Sequence, residues 1–275
     1  MMMAFNSRST RLLVAVVVLL AGFVTSGEPV YAQAPGRDPQ AVAGTNPRKT
    51  FLDWGLPAVF VASTLVIPSR SHCVWCDRDS RGIDALNGFD RSVRSSLRWD
   101  NIRAADKLSW ITEFSPLVLL VGVNRDRVRE TALPVFQAFG TTYFVTHVVK
   151  VVAARERPIV HFGGTVPNGA NASFFSGHSS GAFSVVFALA RVNADRDDPS
   201  TKWIWMAGVP LAAATGYLRV AADKHYVTDV LTGAAVGAAL GWSIPMWWRR
   251  SGKSGARIVP TALPGGANLS VTWRW

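Results

Sequence analysis

Apolar residues gather into six helix-length stretches: Phe51–Ile67, Leu108–Val123, Thr131–Ala153, Ser179–Arg191, Trp203–Leu218 and Val227–Trp248. Strict alternation of apolar and polar positions is nearly absent from them, so the pattern predicts helices rather than strands. Apolar helices in succession bury their faces on one another. The chain is therefore expected to be all-α, a bundle of about six helices whose last four form the core. A polar stretch, Ser69 to Lys107, separates the first two candidates and predicts one amphipathic helix around Gly88 to Leu97. Val192 to Lys202 reads as a charged loop. After Trp248 comes a basic tail, Arg249 to Arg257, and then an alternation of Leu269, Val271, Trp273 and Trp275. One strand cannot close a barrel, so this end is read as a short docking strand or anchor. No repeats are evident.

The N-terminus has the pattern of an export signal. Arg8 and Arg11 precede an apolar core, Leu12 to Val24, and small-residue patterns follow at Val30-Tyr31-Ala32 and Ala32-Gln33-Ala34, of which the second would leave Pro35 as a poor first residue. Cleavage after Ala32 leaves Gln33 to Lys49 as a lead-in rich in Pro, Gly and Ala. An uncleaved anchor is the other reading. The expected division is a signal at 1–32, a flexible lead-in at 33–50, a helical domain at 51–248 and a basic tail with a short apolar strand at 249–275.

Composition narrows the partners. The chain has 275 residues, 49% of them apolar, and a net charge of +11. No basic stripe with interleaved aromatics accompanies that charge, so nucleic acid is not expected; phosphate substrates or anionic lipid explain it better. Mean hydropathy is +0.18, high for a soluble protein and low for one mostly inside a membrane. Several tryptophans (Trp54, Trp203, Trp205, Trp242, Trp247, Trp248) lie at ends of apolar runs, where interfacial belts place them. Cys73 and Cys76 are too few for a zinc site without other ligands. In an exported chain they are expected to form a local disulfide.

The chemistry lies between Lys150 and Asp229. Lys150 is followed after six residues by Arg157-Pro158; then come Ser176-Gly177-His178; then Arg219, five residues, His225, three residues and Asp229. Cations set among apolar helices are costly unless they are paired or bind an anion. The natural counter-charge is a phosphate-like oxyanion. Ser176 precedes an apolar run and is placed to cap a helix, and Gly177 lets backbone N–H groups approach an anion. Pro158 is expected to stop the helix of Lys150 just after Arg157, leaving the guanidinium at a helix mouth. His225 and Asp229 are four apart and share a helical face, so the carboxylate is expected to hold one imidazole nitrogen. His147 and His161 fit no position in this pattern and are read as structural or peripheral. His72 is unassigned.

These motifs resemble those of the type 2 phosphatidic acid phosphatase and vanadium haloperoxidase superfamily: Lys-x6-Arg-Pro, Pro-Ser-Gly-His and Arg-x5-His-x3-Asp. Each charged and histidine position matches; Phe175 stands where the family usually has proline. The resemblance covers roughly Thr131 to Trp248. It implies phosphate ester hydrolysis with no metal or other cofactor, through a phosphohistidine. His225 would be the nucleophile, Asp229 its partner, and His178 the acid for the leaving alkoxide. Lys150, Arg157, Ser176, Gly177 and Arg219 would bind phosphate. A lipid phosphate or isoprenoid pyrophosphate is the expected substrate, met at a membrane surface or within the bilayer. Vanadium-dependent halide oxidation, phosphotransfer to an alcohol and a non-enzymatic envelope role are the competing readings.

Topology is where the patterns conflict. Six spans after a cleaved signal would put the motifs in the cytoplasm, whereas basic Asn124–Arg129 and Arg249–Arg257 suit the side opposite the site. Either the signal region is not translocated, or some helices do not span and the domain lies on the periplasmic side. The second resolution agrees better with the modest hydropathy.

Overall fold

The computed structural model describes Ala62 and residues 69–78, 84–166, 168–251, 255–263 and 266–274. The expected signal, the lead-in and all but one residue of the helix expected at Phe51–Ile67 lie outside these. The described elements from residue 69 onward belong to one unit, which begins at Phe60.

The bundle runs α1 Gly88–Leu97, α2 Ile102–Phe114, α3 Pro116–Val123, α4 Val128–Ala153, the single turn α5 Pro158–His161, α6 Gly177–Ala194, α7 Thr201–Ala221 and α8 Val227–Ser251. An all-α bundle is what the apolar pattern led us to expect, and the amphipathic helix falls at Gly88–Leu97. The expected helix Leu108–Val123 is two helices. Pro116 cannot donate an N–H to a continuing ladder, so it opens α3 after α2 has ended. α2 begins earlier than its apolar run, at Ile102, because the Asn101 side chain accepts from the Ala104 N–H and caps it. α7 carries a π turn at Ile204–Gly208.

The core fills the space between α3, α4, α6 and α7, with Leu120, Val135, Phe139, Val186, Leu189 and Ile204 among its buried side chains. α6 is its axis. α8 lies against α6 through a stripe of glycines. A Cβ at Gly233 would come 2.6 Å from the Ser176 carbonyl oxygen, and Cβ atoms at Gly237 and Gly241 would collide with the backbones of Ser180 and Ser184. Residues four apart on α8 thus meet residues four apart on α6, and the backbones approach closely because no side chain intervenes. On its other flank α6 meets α4 through a polar seam: Thr142 Oγ1 donates to Ser184 Oγ at 3.0 Å, and the Thr146 and Ser180 hydroxyls lie 2.9 Å apart. These two seams set the second motif beside the first and the third.

α1 pins the turn between α7 and α8. Arg94 forks onto Asp223 at 2.6 and 2.8 Å. Asp90 accepts from the Thr228 N–H at 3.0 Å and from its hydroxyl at 2.7 Å, filling the open N-terminus of α8. The core is therefore wider than the last four helices, because α1 and α2 supply acids that those helices lack.

Cys73 and Cys76 are bonded to each other. The C-terminal end is a hairpin rather than one strand: β1 Gly255–Leu263 pairs antiparallel with β2 Gly266–Arg274, Ile258 opposite Val271. Pro260 hid β1 in the sequence, yet proline is tolerated on the open edge of a two-stranded sheet.

Among the described residues, two helices are long and apolar enough to cross a membrane, Thr201–Ala221 and Val227–Met246. Ile111, Val118, Val121, Met206 and Leu231 are each more than half exposed. Apolar surface of this kind supports membrane association. Trp203 is exposed, and Trp205 packs on Phe187 and Trp242. Trp54 lies outside the described residues.

Candidate active site

One loop, 169–176, collects the motif residues. Arg157 donates from Nε to the Gly169 carbonyl at 2.8 Å, and Lys150 from Nζ to the Ala172 carbonyl at 2.5 Å. His225 places Nδ1 2.7 Å from the Ser173 carbonyl. Ser176 ends the loop as the N-cap of α6, its hydroxyl oxygen accepting from the Ser179 N–H and hydroxyl. Gly177 opens that helix beside Lys150; a Cβ there would lie 3.7 Å from Lys150 Cε. Arg157 is not at the end of the Lys150 helix, as Pro158 had suggested. That helix ends at Ala153, and Ala154 turns left-handed at φ 39°. Arg157 is extended and leads into α5, with Pro158 as its first residue.

His225 is buried. A carbonyl oxygen can only accept, so Nδ1 carries the proton and Nε2 keeps its lone pair. Burial first, then Lys150, Arg219 and Arg157, hold its pKa well below the ordinary 6.5. The imidazole is thus neutral, the form a nucleophile needs. His178 is depressed in the same direction, by burial and then by Arg219, His225, Lys150 and Arg157. Each histidine lies within electrostatic reach of the three motif cations, and His178 feels His225. The geometry brings the three motifs to one place.

Arg219 is buried on α7, and its Nη1 donates to Asp106 at 2.6 Å and to Ser109 at 3.0 Å, both on α2. Its Nε has no partner among the described residues, so a donor remains for an anion.

The sequence suggested that Asp229 holds the His225 ring, and here the structure differs. Asp229 Oδ2 is 3.8 Å from His225 Nδ1, too far for a hydrogen bond. Both oxygens are engaged elsewhere. Oδ2 accepts from the Ser173 hydroxyl at 2.6 Å and the Tyr226 N–H at 3.0 Å. Oδ1 accepts from Arg155 Nη1 at 2.7 Å. Asp229 therefore fixes Ser173, and the Ser173 carbonyl fixes the imidazole. It also closes the first turn of α8 by reaching back to Tyr226.

Arg155 was not singled out by any motif. It is fully buried, with Nε on Asp77 at 2.9 Å, Nη2 on Asp90 at 3.0 Å and its guanidinium between the rings of Trp75 and Tyr226. Two residues from Arg157, it looks in sequence like another surface charge. Glu113 was missed as well, although a lone acid in an apolar run is a signal. Phe175 is buried, and Phe174 packs on Trp75. His161 lies 3.2 Å from both Glu156 and Asp84, outside this constellation.

Residues 131–253 match the model of the PAP2 superfamily, so the resemblance first carried by three short motifs holds across the stretch that contains them. The match supports a phosphatase. A solved structure, described as the first transmembrane PAP2 type phosphatidylglycerolphosphate phosphatase from Bacillus subtilis, aligns at 18% identity. The alignment covers 88% of this chain and 96% of that one, with a TM-score of 0.37. No curated protein matches the chain.

Proposed function

We propose that the protein hydrolyses the phosphate of an amphiphile, a lipid phosphate or an isoprenoid pyrophosphate, through a phosphohistidine and without a metal ion. His225 Nε2 attacks phosphorus, and the bond to the leaving oxygen breaks. His178 delivers a proton to that oxygen and then takes one from the water that releases phosphate from His225. Lys150, Arg157 and Arg219 neutralise the non-bridging oxygens, the task a metal ion has in other phosphatases. Ser176 and the Gly177 amide complete the cradle. The observation that carries this reading is His225 itself: a buried, neutral imidazole, held by one carbonyl, beside three cations and a second histidine.

The membrane-associated surface brings the site to substrates anchored by apolar tails. Residues 1–32 act as the export signal and 33–50 as a lead-in, with the site on the periplasmic side. Phosphate release from a panel of lipid phosphates and isoprenoid pyrophosphates tests the reading, with and without EDTA. Release that survives the chelator is the expected result. Halide oxidation by peroxide after vanadate loading, with no phosphate release, would overturn it.

A further inference from the structure

One of the buried acids that the mechanism above does not use faces His178. Glu113, on α2, is only 2% exposed. Its Oε2 lies 3.6 Å from His178 Nε2, and neither atom has a hydrogen-bond partner among the described residues. Two buried polar atoms that face each other just beyond bonding distance need only a small shift to meet. The other oxygen, Oε1, accepts from the Tyr143 hydroxyl at 2.5 Å. α6 makes room for the pair. A Cβ at Gly181, one turn beyond His178, would come 2.8 Å from Tyr143 Cε2 and 3.1 Å from Glu113 Oε1. Trp110, one turn before Glu113 on α2, sets its ring edge-on to the imidazole at 4.4 Å.

We propose that Glu113 is a positioning residue for His178 and supplies, through it, the proton that the leaving group takes. The proposal rests on the phosphatase reading of the site. Burial pushes Glu113 up to about 8, against the pull of Tyr143 and Arg219, so it is protonated at neutral pH. It donates from Oε2 to Nε2, which places the ring's own proton on Nδ1. As the bond from phosphorus to oxygen breaks, the Nδ1 proton moves to the leaving oxygen and the Glu113 proton moves to Nε2. Glu113 is left as a carboxylate accepting from Nε2–H, within reach of the Arg219 charge. When water attacks the phosphohistidine, Nδ1 takes its proton and Nε2 returns its own to Glu113. The cycle closes without a full imidazolium, the form that burial and the neighbouring cations oppose.

Glu113→Gln keeps the shape and can still donate a hydrogen bond to Nε2, but it has no proton to transfer. On dodecyl phosphate we expect kcat to fall about 100-fold with KM unchanged, the scale of general acid catalysis. On 4-nitrophenyl phosphate, whose leaving group needs little protonation, the fall in the first-turnover release of nitrophenol is expected to stay within about threefold. Equal losses on both substrates, or no loss on the alkyl ester, would overturn the proposal. Tyr143→Phe provides a second arm that keeps the acid. The wild-type rate on dodecyl phosphate should decline as pH rises through about 8, when Glu113 loses its proton beside His178, Tyr143 and Arg219. Removing the hydroxyl that favours the carboxylate should move that decline to higher pH, and an unmoved decline counts against the relay. If wild-type protein releases phosphate from neither substrate, the phosphatase reading fails and the relay with it. Normal wild-type release with intact alkyl turnover in Glu113→Gln defeats the relay alone.

Discussion

Arg155 joins the site to the elements around it. Its guanidinium meets Asp77, Asp90 and Asp229 with no exposed surface, and the same carboxylates hold the N-terminus of α8 and the Ser173 hydroxyl. Removing one partner of a buried ionic cluster strands the others without solvation, at about 3–5 kcal/mol. Arg155→Met is therefore expected to destabilise by about that amount, measured by unfolding in detergent; a loss within about 1 kcal/mol, the scale of an exposed pair, would contradict the network. His225 carries a pH signature. Its pKa is depressed in the folded protein, so the contribution to stability is complete above about 6.5, the unfolded value, and is lost as pH falls below it. The unfolding temperature should fall between pH 7 and pH 5, and fall less in His225→Asn; equal slopes would show that the imidazole is not held neutral. The motif residues could be read in the sequence because their types and intervals declare an anion site. Arg155, Ser173 and Asp90 could not, since their partners are far along the chain: Thr228 lies 138 positions from Asp90. Only folding gives such residues a meaning.

At the scale of elements, the contact between α6 and α8 decides whether the second and third motifs share a site. Gly237→Ala would drive a methyl group into the Ser180 backbone, and overpacking of this kind costs about 1–3 kcal/mol or more. Reduced unfolding temperature and reduced turnover should appear together. Gly122→Ala is the control: nothing lies within 4 Å of its Cβ position on α3, and alanine in a helix is favoured over glycine by about 0.5–1 kcal/mol. If Gly237→Ala is as well tolerated as Gly122→Ala, the two helices are not in the contact described. The spacing of Gly233, Gly237 and Gly241 gains its sense only from the facing Ser176, Ser180 and Ser184. The order of the described helices followed from the apolar stretches, although Pro116 divides the stretch Leu108–Val123 in two. Boundaries followed less well, because Asn101, Pro116 and Ala154 act through local backbone geometry that hydropathy does not register. The hairpin was not legible because Pro260 interrupts the residues that form β1.

For the whole molecule, the proposed compartment and the proposed reaction are separable. Cys73 and Cys76 are bonded in the structure, and export predicts the same bond in cells. Impermeant thiol labelling of intact cells should require prior reduction. Labelling that needs an opened inner membrane, and no reductant, would place this loop in the cytoplasm and change the pool of lipids within reach. The chemistry itself is tested most directly at His225. A labelled lipid phosphate, mixed with enzyme and quenched within one turnover, should leave an acid-labile phosphoryl group on the peptide containing His225. The His225→Ala protein should carry no label and release no phosphate. Full turnover by His225→Ala, or phosphate release with no labelled peptide in a quench fast enough to catch the product, would contradict the account.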